Sequence, residues 1–305
     1  MIRRHPVLAT IVVVPTVLVL GLATLVALWL AGVQIPGASA ARWFTITKTA
    51  NADYTPAPNQ PVFILAIGND GRPGDTVTRG DAIHLIGVNP TTRQASMLDL
   101  PRDTGLEIPG HGVDKVNSAH AIGGARLQAD TIGQAVGVQI PYVIDTDFDG
   151  FIGLVNDMGG LQVNVPYPMK DTYSGADFAA GPQKLNGEQA LQYARNRHQF
   201  PDSDLTRTQN QGYLILQALT QLRAQNTGPL QTLDLLADVG RHTKLDGIGL
   251  KDLYALARLG LSIDPATVKN VLVPVVSGSG SRLALGPGAQ SLFEDFRDDA
   301  TLQSH

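Results

Sequence analysis

Residues 62–103 have the sequence VFILAIGNDGRPGDTVTRGDAIHLIGVNPTTRQASMLDLPRD. This stretch contains three apolar runs with the length and composition of strands, Val62–Ile67, Ile83–Val88 and Ala95–Leu100. The segment at residues 89–92, between the second run and the third, is a tight turn that favours antiparallel pairing of the two. The stretch therefore predicts three strands of one sheet, with polar loops at their ends.

The rest of the chain alternates between strand-like and helical patterns. Further strands are predicted at Tyr142–Asp145, Leu161–Val165 and Asn270–Val276. Helical periodicity covers Gly124–Val136, Phe148–Met158, Gly187–Arg195, Leu205–Arg223, Leu230–His242, Leu250–Leu259 and Ala289–Asp299. Strands interleaved with helices predict an α/β fold in which a mixed central sheet is flanked by helices.

A long apolar segment lies near the N-terminus. Residues 6–33 carry no charge, and this length exceeds the roughly 20 residues that span a bilayer. Because Arg3 and Arg4 precede the segment, we expect the N-terminus in the cytoplasm and the rest of the chain outside the cell. We therefore predict a single-pass cell-membrane protein with a cytoplasmic N-terminus at residues 1–5, a transmembrane anchor at 6–33, a linker at 34–60 and an extracellular domain at 61–305.

A cleaved signal peptide is the alternative, because residues 38–40 (Ala-Ser-Ala) have the small-x-small pattern of a cleavage site. The apolar core of a signal peptide is about 7–15 residues long, and the longer run here favours an uncleaved anchor. The chain contains no cysteine, which is compatible with any compartment. Its formal net charge is −4, and we expect no nucleic-acid partner.

Two aspartates are placed at adjacent strand ends. Asp70 follows the first strand directly, and Asp81 opens the second. Carboxylates that converge repel each other unless a cation or a guanidinium lies between them. Mg²⁺ is commonly held by one or two carboxylates together with phosphate oxygens, so this pair is a candidate metal site. The alternative is that Asp70 caps a turn and Asp81 pairs with Arg79 at the surface.

Arginine accompanies these acids. Guanidinium groups bind phosphate oxygens through two parallel N–H donors. Arg102 follows the third strand, and Asp103 beside it is either a base or a group that orients a guanidinium. Taken alone, the pair would also fit a strand end closed by a salt bridge. The combination with Asp70 and Asp81 makes a phosphate-bearing ligand the hypothesis to test.

A second group of polar residues lies further along the chain. Arg195 and Arg197 are two residues apart, so they would face different directions on a regular helix. The Pro201 that follows favours an early end of that helix. Arg207 and Gln211 are four residues apart and therefore share one helix face. The alternative is that this face is an ordinary solvated one.

The combined arrangement resembles the LytR-CpsA-Psr family of cell-wall enzymes from about residue 62 to residue 223. Eight segments carry the resemblance in order: 65–70 (LAIGND), 78–82 (TRGDA), 100–104 (LPRDT), 115–117 (KVN), 151–165, 185–190 (LNGEQA), 195–198 (RNRH) and 204–211. Gly80 and Ala82 stand where Ser and Thr are common in the family. The resemblance covers several separate motifs in the same order.

This resemblance implies a phosphotransferase that works on the outer leaflet of the membrane. Such enzymes move a glycopolymer from a polyprenyl-pyrophosphate carrier to peptidoglycan, form a phosphodiester and release polyprenyl phosphate. The implied partners are the polyprenyl-pyrophosphate-linked glycopolymer, peptidoglycan and the membrane. The implied fold is a mixed sheet flanked by helices, with an apolar tunnel for the lipid.

The motif match also implies roles for particular residues. Asp70 and Asp81 would hold Mg²⁺, or Mn²⁺ in its place. The residues implied to bind the pyrophosphate are Arg79, Arg102, Arg195, Arg197, Arg207 and Gln211. The implied catalytic residues are Arg102, Asp103 and Asp81, with Asp103 either the general base or only an orienter of Arg102.

Leucines of two helices predict where the lipid would lie. These leucines are more numerous than one core-facing stripe of each helix needs. They are Leu214, Leu216, Leu219, Leu222, Leu233, Leu235 and Leu236. We therefore expect an apolar cavity near Arg102 and Arg207.

Two other functions use the same phosphate-binding residues and stay open at the sequence level. One is a metal-dependent polyprenyl-pyrophosphate pyrophosphatase. The other is a non-catalytic, membrane-anchored protein that binds lipid-linked saccharides or has a regulatory role.

Overall fold

The domain is built on a seven-stranded mixed sheet. The computed structural model describes residues 44–49, 60–72, 75, 77–225, 228–240 and 243–303. In chain order its strands are β1 (Phe44–Lys48), β2 (Val62–Asn69), β3 (Gly80–Val88), β4 (Ala95–Asp99), β5 (Gly105–Ile108), β6 (Gly112–Lys115), β7 (Tyr142–Thr146), β8 (Leu161–Val165), β9 (Met169–Asp171), β10 (Ala176–Phe178), β11 (Gly181–Leu185), β12 (Thr243–Asp246), β13 (Lys269–Leu272), β14 (Val275–Ser277) and β15 (Leu283–Leu285). The central sheet has the order β12-β1-β7-β2-β3-β4-β13.

The helices agree closely with the predicted segments. In chain order they are α1 (Val116–Val136), α2 (Phe148–Asp157), α3 (Gly187–Arg195), α4 (Ser203–Gln225), α5 (Pro229–Gly240), α6 (Leu250–Ser262) and α7 (Ala289–Asp299), with a 3₁₀ turn at Pro265–Thr267. Asn186 begins α3 with a reciprocal capping box to Gln189, which satisfies two amides at the helix start.

Strand pairing confirms the predicted mixed sheet. β3 pairs with β2 and with β4 in antiparallel fashion, the second pairing through the turn at residues 89–92. β7 lies parallel to β2, and β13 lies parallel to β4. The remaining strands form four two-stranded sheets: β5–β6, β8–β11, β9–β10 and β14–β15.

The two faces of the central sheet are covered by different helices. On one face, fully buried residues such as Leu65, Ile83 and Leu85 pack with α1 and α7, whose Phe296 ring lies 5.4 Å from the Phe63 ring. On the other face, the apolar residues pack with α5 and α6. This face includes half-buried isoleucines, of which Ile86 is one.

Several predicted boundaries differ from the structure. The predicted linker at residues 34–60 contains β1, which pairs with β7 and β12, so the domain begins before residue 61. The predicted helix Gly124–Val136 begins at Val116 and is kinked at Gly123–Gly124, where Gly124 has a positive φ of 69°. The predicted strand Asn270–Val276 is divided into β13 and β14 by Val273 and Pro274.

The predicted anchor at residues 6–33 lies outside the described residues. Within the described part of the chain, no helix combines the length and the apolar composition needed to cross a bilayer.

Candidate functional site

A β-bulge at the end of the β2–β3 pair places the two predicted metal-site aspartates. Gly68 is opposite Ala82, but the next residue, Asn69, is opposite Gly80, so Asp81 is the extra residue of the bulge. Bulges of this kind redirect a side chain at a sheet end. Asp70 follows the bulge, and its backbone amide donates to the carbonyl of Arg79 at 3.0 Å. Asp70 and Asp81 therefore lie at the same end of the sheet.

Both carboxylate oxygens of Asp81 accept hydrogen bonds. Its Oδ1 accepts a hydrogen bond from Asn117 Nδ2 at 2.9 Å, and its Oδ2 accepts one from Arg102 Nη1. The structure thus pairs Asp81 with Arg102 rather than with Arg79, the partner in the alternative reading. Burial lowers the pKa of the Arg102 guanidinium, but the charges of Asp81 and Asp204 outweigh burial and raise that pKa.

Asp204 lies at the centre of the site and joins three arginines. Its Oδ1 is 3.3 Å from Arg102 Nη2, 3.2 Å from Arg197 Nη1 and 2.9 Å from Arg207 Nη2. We call Arg102, Arg197, Arg207 and Asp204 the arginine cluster. Three guanidiniums share one carboxylate here, so the cluster carries an excess of positive charge. Such an excess favours an anionic ligand.

Arg207 is the most buried member of the arginine cluster, with 7% of its surface exposed. Burial lowers the pKa of its guanidinium, Asp204 opposes this, and the like charge of Arg102 adds to the lowering. Its Nε atom, like that of Arg102, is buried and makes no hydrogen bond with a described residue. Buried donors of this kind are unfavourable unless a ligand or water satisfies them.

A buried carboxylate fixes the loop that carries Arg197. Asp171, on β9, accepts hydrogen bonds from the backbone amides of Arg197 and His198 at 3.0 and 3.2 Å, and from His198 Nδ1 at 3.0 Å. Burial alone would raise the pKa of Asp171, but these hydrogen bonds outweigh it and hold that pKa below its usual range. Helix α3 ends at Arg195, so the predicted early helix end is confirmed.

Four of the other predicted residues have contacts of their own. Arg195 lies over the Phe148 ring, 5.2 Å from its centroid, rather than against Asp204. Gln211 Nε2 donates to the carbonyl of Ala194 at 3.0 Å. Asp103 pairs with Lys115 Nζ at 2.8 Å, so Arg102 is oriented by Asp81 and Asp204. Arg79 lines a polar pocket beside Arg102.

The loop between Asp70 and Arg79 is tied to the sheet and to α1. Asp70 Oδ1 accepts the backbone amide of Arg79 at 2.7 Å, which is the turn-capping role of the alternative reading. His120 Nδ1 lies 2.9 Å from the carbonyl oxygen of Thr78, and its Nε2 lies 3.2 Å from Asp145 Oδ2. Burial lowers the pKa of His120, but the Asp145 carboxylate outweighs burial and raises that pKa.

The residues at the predicted metal site supply part of what a Mg²⁺ ion needs. Asp70 and Asp81 supply two carboxylates at one sheet end, which is the protein contribution that Mg²⁺ commonly needs when phosphate and water complete its shell. No group of three or more His, Cys, Asp or Glu side chains in the described part of the chain is arranged to hold a metal ion. A cation here would therefore depend on oxygens from a ligand.

Sequence reasoning missed the central residue of the site. Asp204 lies in the family-like segment 204–211, but its contacts with Arg102 and Arg197 depend on the folded chain and not on a local pattern. Asn117 and Asp171 were missed as well. The available signal for Asp204 is a carboxylate at the start of a predicted helix with an arginine, Arg207, three residues later, because residues three apart on a helix are neighbours.

The fold and the site together define a class of protein: an α/β domain whose mixed sheet carries, at one end, an arginine–aspartate site suited to phosphate-bearing ligands. Residues 37–290 match the LytR_cpsA_psr family. The chain belongs to this family.

Two relatives named as transferases are similar in sequence. TagT of Bacillus subtilis strain 168, named polyisoprenyl-teichoic acid–peptidoglycan teichoic acid transferase, is 34% identical over 203 residues, which are 63% of this chain and 62% of TagT. TagU of Bacillus licheniformis, which has the same name, is 35% identical over 158 residues, 52% of this chain and 51% of TagU. The matches span less than two thirds of the length of either relative.

Solved structures share the fold. The crystal structure of B. subtilis TagV superposes with a TM-score of 0.66 at 21% identity and covers 80% of this chain and 99% of TagV. The LytR-Csp2A-Psr enzyme from Actinomyces oris gives a TM-score of 0.65 at 22% identity and covers 85% of this chain and 96% of that enzyme. These structures support the mixed α/β architecture described above.

Proposed function

We propose that this protein is a phosphotransferase that moves a glycopolymer from a polyprenyl-pyrophosphate carrier to peptidoglycan. The observation that carries the proposal is the arginine cluster, in which Asp204 holds three guanidiniums beside Asp81. Phosphoryl transfer needs mainly positioning and charge stabilisation from a protein. The names of TagT and TagU support the substrate class, and TagT has been solved bound to LI-WTA.

The proposed role of each residue follows from its contacts. Arg102, Arg197 and Arg207 bind and orient the pyrophosphate oxygens, because each presents a guanidinium to the space around Asp204. Asp81 and Asn117 keep Arg102 in place. Asp70 and Asp81 would hold Mg²⁺, which supplies neutralisation of phosphate charge when bound.

The direct test is a transfer assay. The purified protein is incubated with a polyprenyl-pyrophosphate-linked saccharide, Mg²⁺ and a soluble peptidoglycan fragment, and the phosphodiester product is measured. Product that depends on both the fragment and Mg²⁺ supports the proposal. Release of a free saccharide phosphate without any phosphodiester would instead show a pyrophosphatase, and binding without turnover would show a non-catalytic protein.

Arg102→Ala is the decisive variant in this assay. Loss of one preorganised donor typically costs about 2.7–4 kcal/mol of barrier, or roughly 10²–10³ in kcat. Arg126→Ala is the matched control, because Arg126 pairs with Asp246 at an exposed site outside the arginine cluster. Equal activity of both variants would contradict a phosphate-binding role for Arg102.

We also propose that residues 6–33 anchor the protein in the cell membrane, with the N-terminus in the cytoplasm. Because the chain contains no cysteine, single-cysteine labelling can test this cleanly. A membrane-impermeant maleimide should label Ser279→Cys in intact cells and should label His5→Cys only after lysis. The reverse pattern, or recovery of the protein from the soluble fraction, would exclude the anchor.

A further inference from the structure

A polar pocket lies on one side of Arg102. It has a volume of about 420 Å³, and every side chain that lines it is charged or polar. Arg79 and Arg102 form the wall toward the sheet end, Asp103 and Lys115 form an ion pair within it, and Ser118 and Ser281 contribute hydroxyls. Of the three arginines that are proposed above to bind the pyrophosphate, only Arg102 lines this pocket.

The pocket walls are held together by hydrogen bonds from separate segments. The backbone amide of Leu283 donates to the carbonyl of Asp103 at 2.8 Å, and Arg282 Nη1 donates to the carbonyl of Val113. The β14–β15 hairpin is thereby attached to β6 and to the segment after β4. A pocket whose walls are tied in this way is formed before a ligand enters, which lowers the entropic cost of binding.

The chemistry of the lining differs from that of the arginine cluster. Asp103 and Asp114 present carboxylates, which repel a second phosphate but accept hydrogen bonds from sugar hydroxyls. Lys115 is already neutralised by Asp103 at 2.8 Å. Arg79, Arg102 and the serines add donors to these acceptors, so the lining can form hydrogen bonds of both kinds with the hydroxyls of a polyol.

We propose that this pocket binds the acceptor saccharide, a glycan hydroxyl of peptidoglycan, and presents it to the phosphorus from the side opposite Asp204. The inference rests on the phosphotransferase function proposed above and names the position of its second substrate. In-line phosphoryl transfer needs the attacking and leaving oxygens on opposite sides of the phosphorus. Arg102 joins the two spaces, because its Nη2 atom lies 3.3 Å from Asp204 Oδ1 while the residue also lines the pocket.

The step balances without any further reactant. The acceptor oxygen forms a bond to the phosphorus that carries the glycopolymer, and the bond from that phosphorus to the bridging oxygen breaks. Polyprenyl phosphate leaves with the electron pair. The hydroxyl proton passes to the Asp103 carboxylate and then to solvent, so Asp103 acts as the general base.

Ser281→Trp tests the pocket without changing any residue of the arginine cluster. Ser281 is exposed on the β14–β15 hairpin and lines the pocket, so an indole there fills the space. We expect the KM for the peptidoglycan fragment to rise about tenfold or more, which corresponds to the loss of one or two hydrogen bonds, while the KM for the lipid-linked donor stays unchanged. Ser279→Trp is the matched control, because Ser279 is exposed on the same hairpin outside the pocket lining.

Direct binding separates this inference from the function on which it rests. Saturation-transfer NMR with the soluble glycan fragment alone should show binding to the wild-type protein and to Ser279→Trp, and loss of binding in Ser281→Trp. A wild-type protein that forms no phosphodiester would overturn the function, whereas normal transfer with an unchanged acceptor KM in Ser281→Trp would overturn only the pocket. A rise in donor KM instead would mean that the pocket holds the donor's own sugar.

Discussion

Asp204 competes with any anion for the same three guanidiniums. In Asp204→Asn the competing charge disappears, so we predict tighter binding of inorganic pyrophosphate by about 1 kcal/mol, or roughly fivefold. Turnover should nevertheless fall, because Arg102 loses one of the two carboxylates that orient it. Isothermal titration with inorganic pyrophosphate and the transfer assay measure the two effects separately.

Asp202→Asn is the control for that prediction, because Asp202 is an exposed acid two residues before Asp204. It should change neither affinity nor turnover. Weaker pyrophosphate binding in Asp204→Asn would show that Asp204 mainly preorganises the guanidiniums rather than competing with the ligand.

Asp171 holds the loop that carries Arg197 by accepting hydrogen bonds from backbone amides. Asp171→Asn replaces an acceptor by a donor next to two amides and an imidazole, so a buried donor is left unsatisfied. We predict a loss of about 1–3 kcal/mol in the free energy of unfolding. Hydrogen exchange at the amides of Arg197 and His198 should accelerate, and denaturant unfolding measures the loss of stability.

The matched control for Asp171 is Asp177→Asn, on the partner strand of the same hairpin, where the side chain is exposed. It should unfold like the wild type. Unchanged exchange at Arg197 in Asp171→Asn would show that the loop is held by its other contacts, such as those of Gln199 with Pro168 and Lys170.

At the scale of elements, the sequence predicted the strands and helices whose patterns are local. α3 and α7 have the predicted bounds, since periodicity marks both and Asn186 caps the start of α3. β1 was missed because its sequence, FTITK, is five residues long and its partners β7 and β12 lie far along the chain. The part played by Asp204 was missed for the same reason: it depends on three arginines that converge only in the folded chain.

The loop before β3 is the element whose stability should depend on pH. The raised pKa of His120 means that its charged form is favoured by folding. This contribution is fully present below the ordinary histidine value of about 6.5 and is lost as pH rises through the raised pKa. We therefore predict that the loop carrying Arg79 loosens at alkaline pH, as the contact to Thr78 or to Asp145 weakens.

NMR titration of the His120 ring measures this prediction. Asp145→Asn should lower the pKa of His120, because the carboxylate at 3.2 Å is what raises it. Asp149→Asn, an exposed acid at the start of α2, should leave that pKa unchanged. If the His120 pKa in Asp145→Asn equals that of the wild type, the charge of Asp145 does not control the loop.

At the scale of the whole molecule, the two sheet faces are packed to different degrees. Leu65 and Ile83 on the α1–α7 face are fully buried. The other face has buried residues as well, such as Tyr142, but its Ile64, Ile86 and Ile144 are only half-buried. The C-terminal half of α4 follows the same pattern, with Leu216 and Leu219 half-buried. A polyprenyl chain would occupy an apolar layer that stays partly exposed in this way.

We predict that binding of prenyl pyrophosphates strengthens with chain length, because each further buried CH₂ contributes roughly 0.8 kcal/mol. Ile86→Trp should fill the space and remove this dependence, so that long and short chains bind with the same affinity as the short chain binds to the wild type. Ile122→Trp, at an exposed position of α1, should retain the wild-type dependence. Affinities of short and long prenyl pyrophosphates for the three proteins measure the effect. Equal affinities for the wild type would mean that the lipid stays outside the domain, and the half-buried face would then be only a loosely packed core.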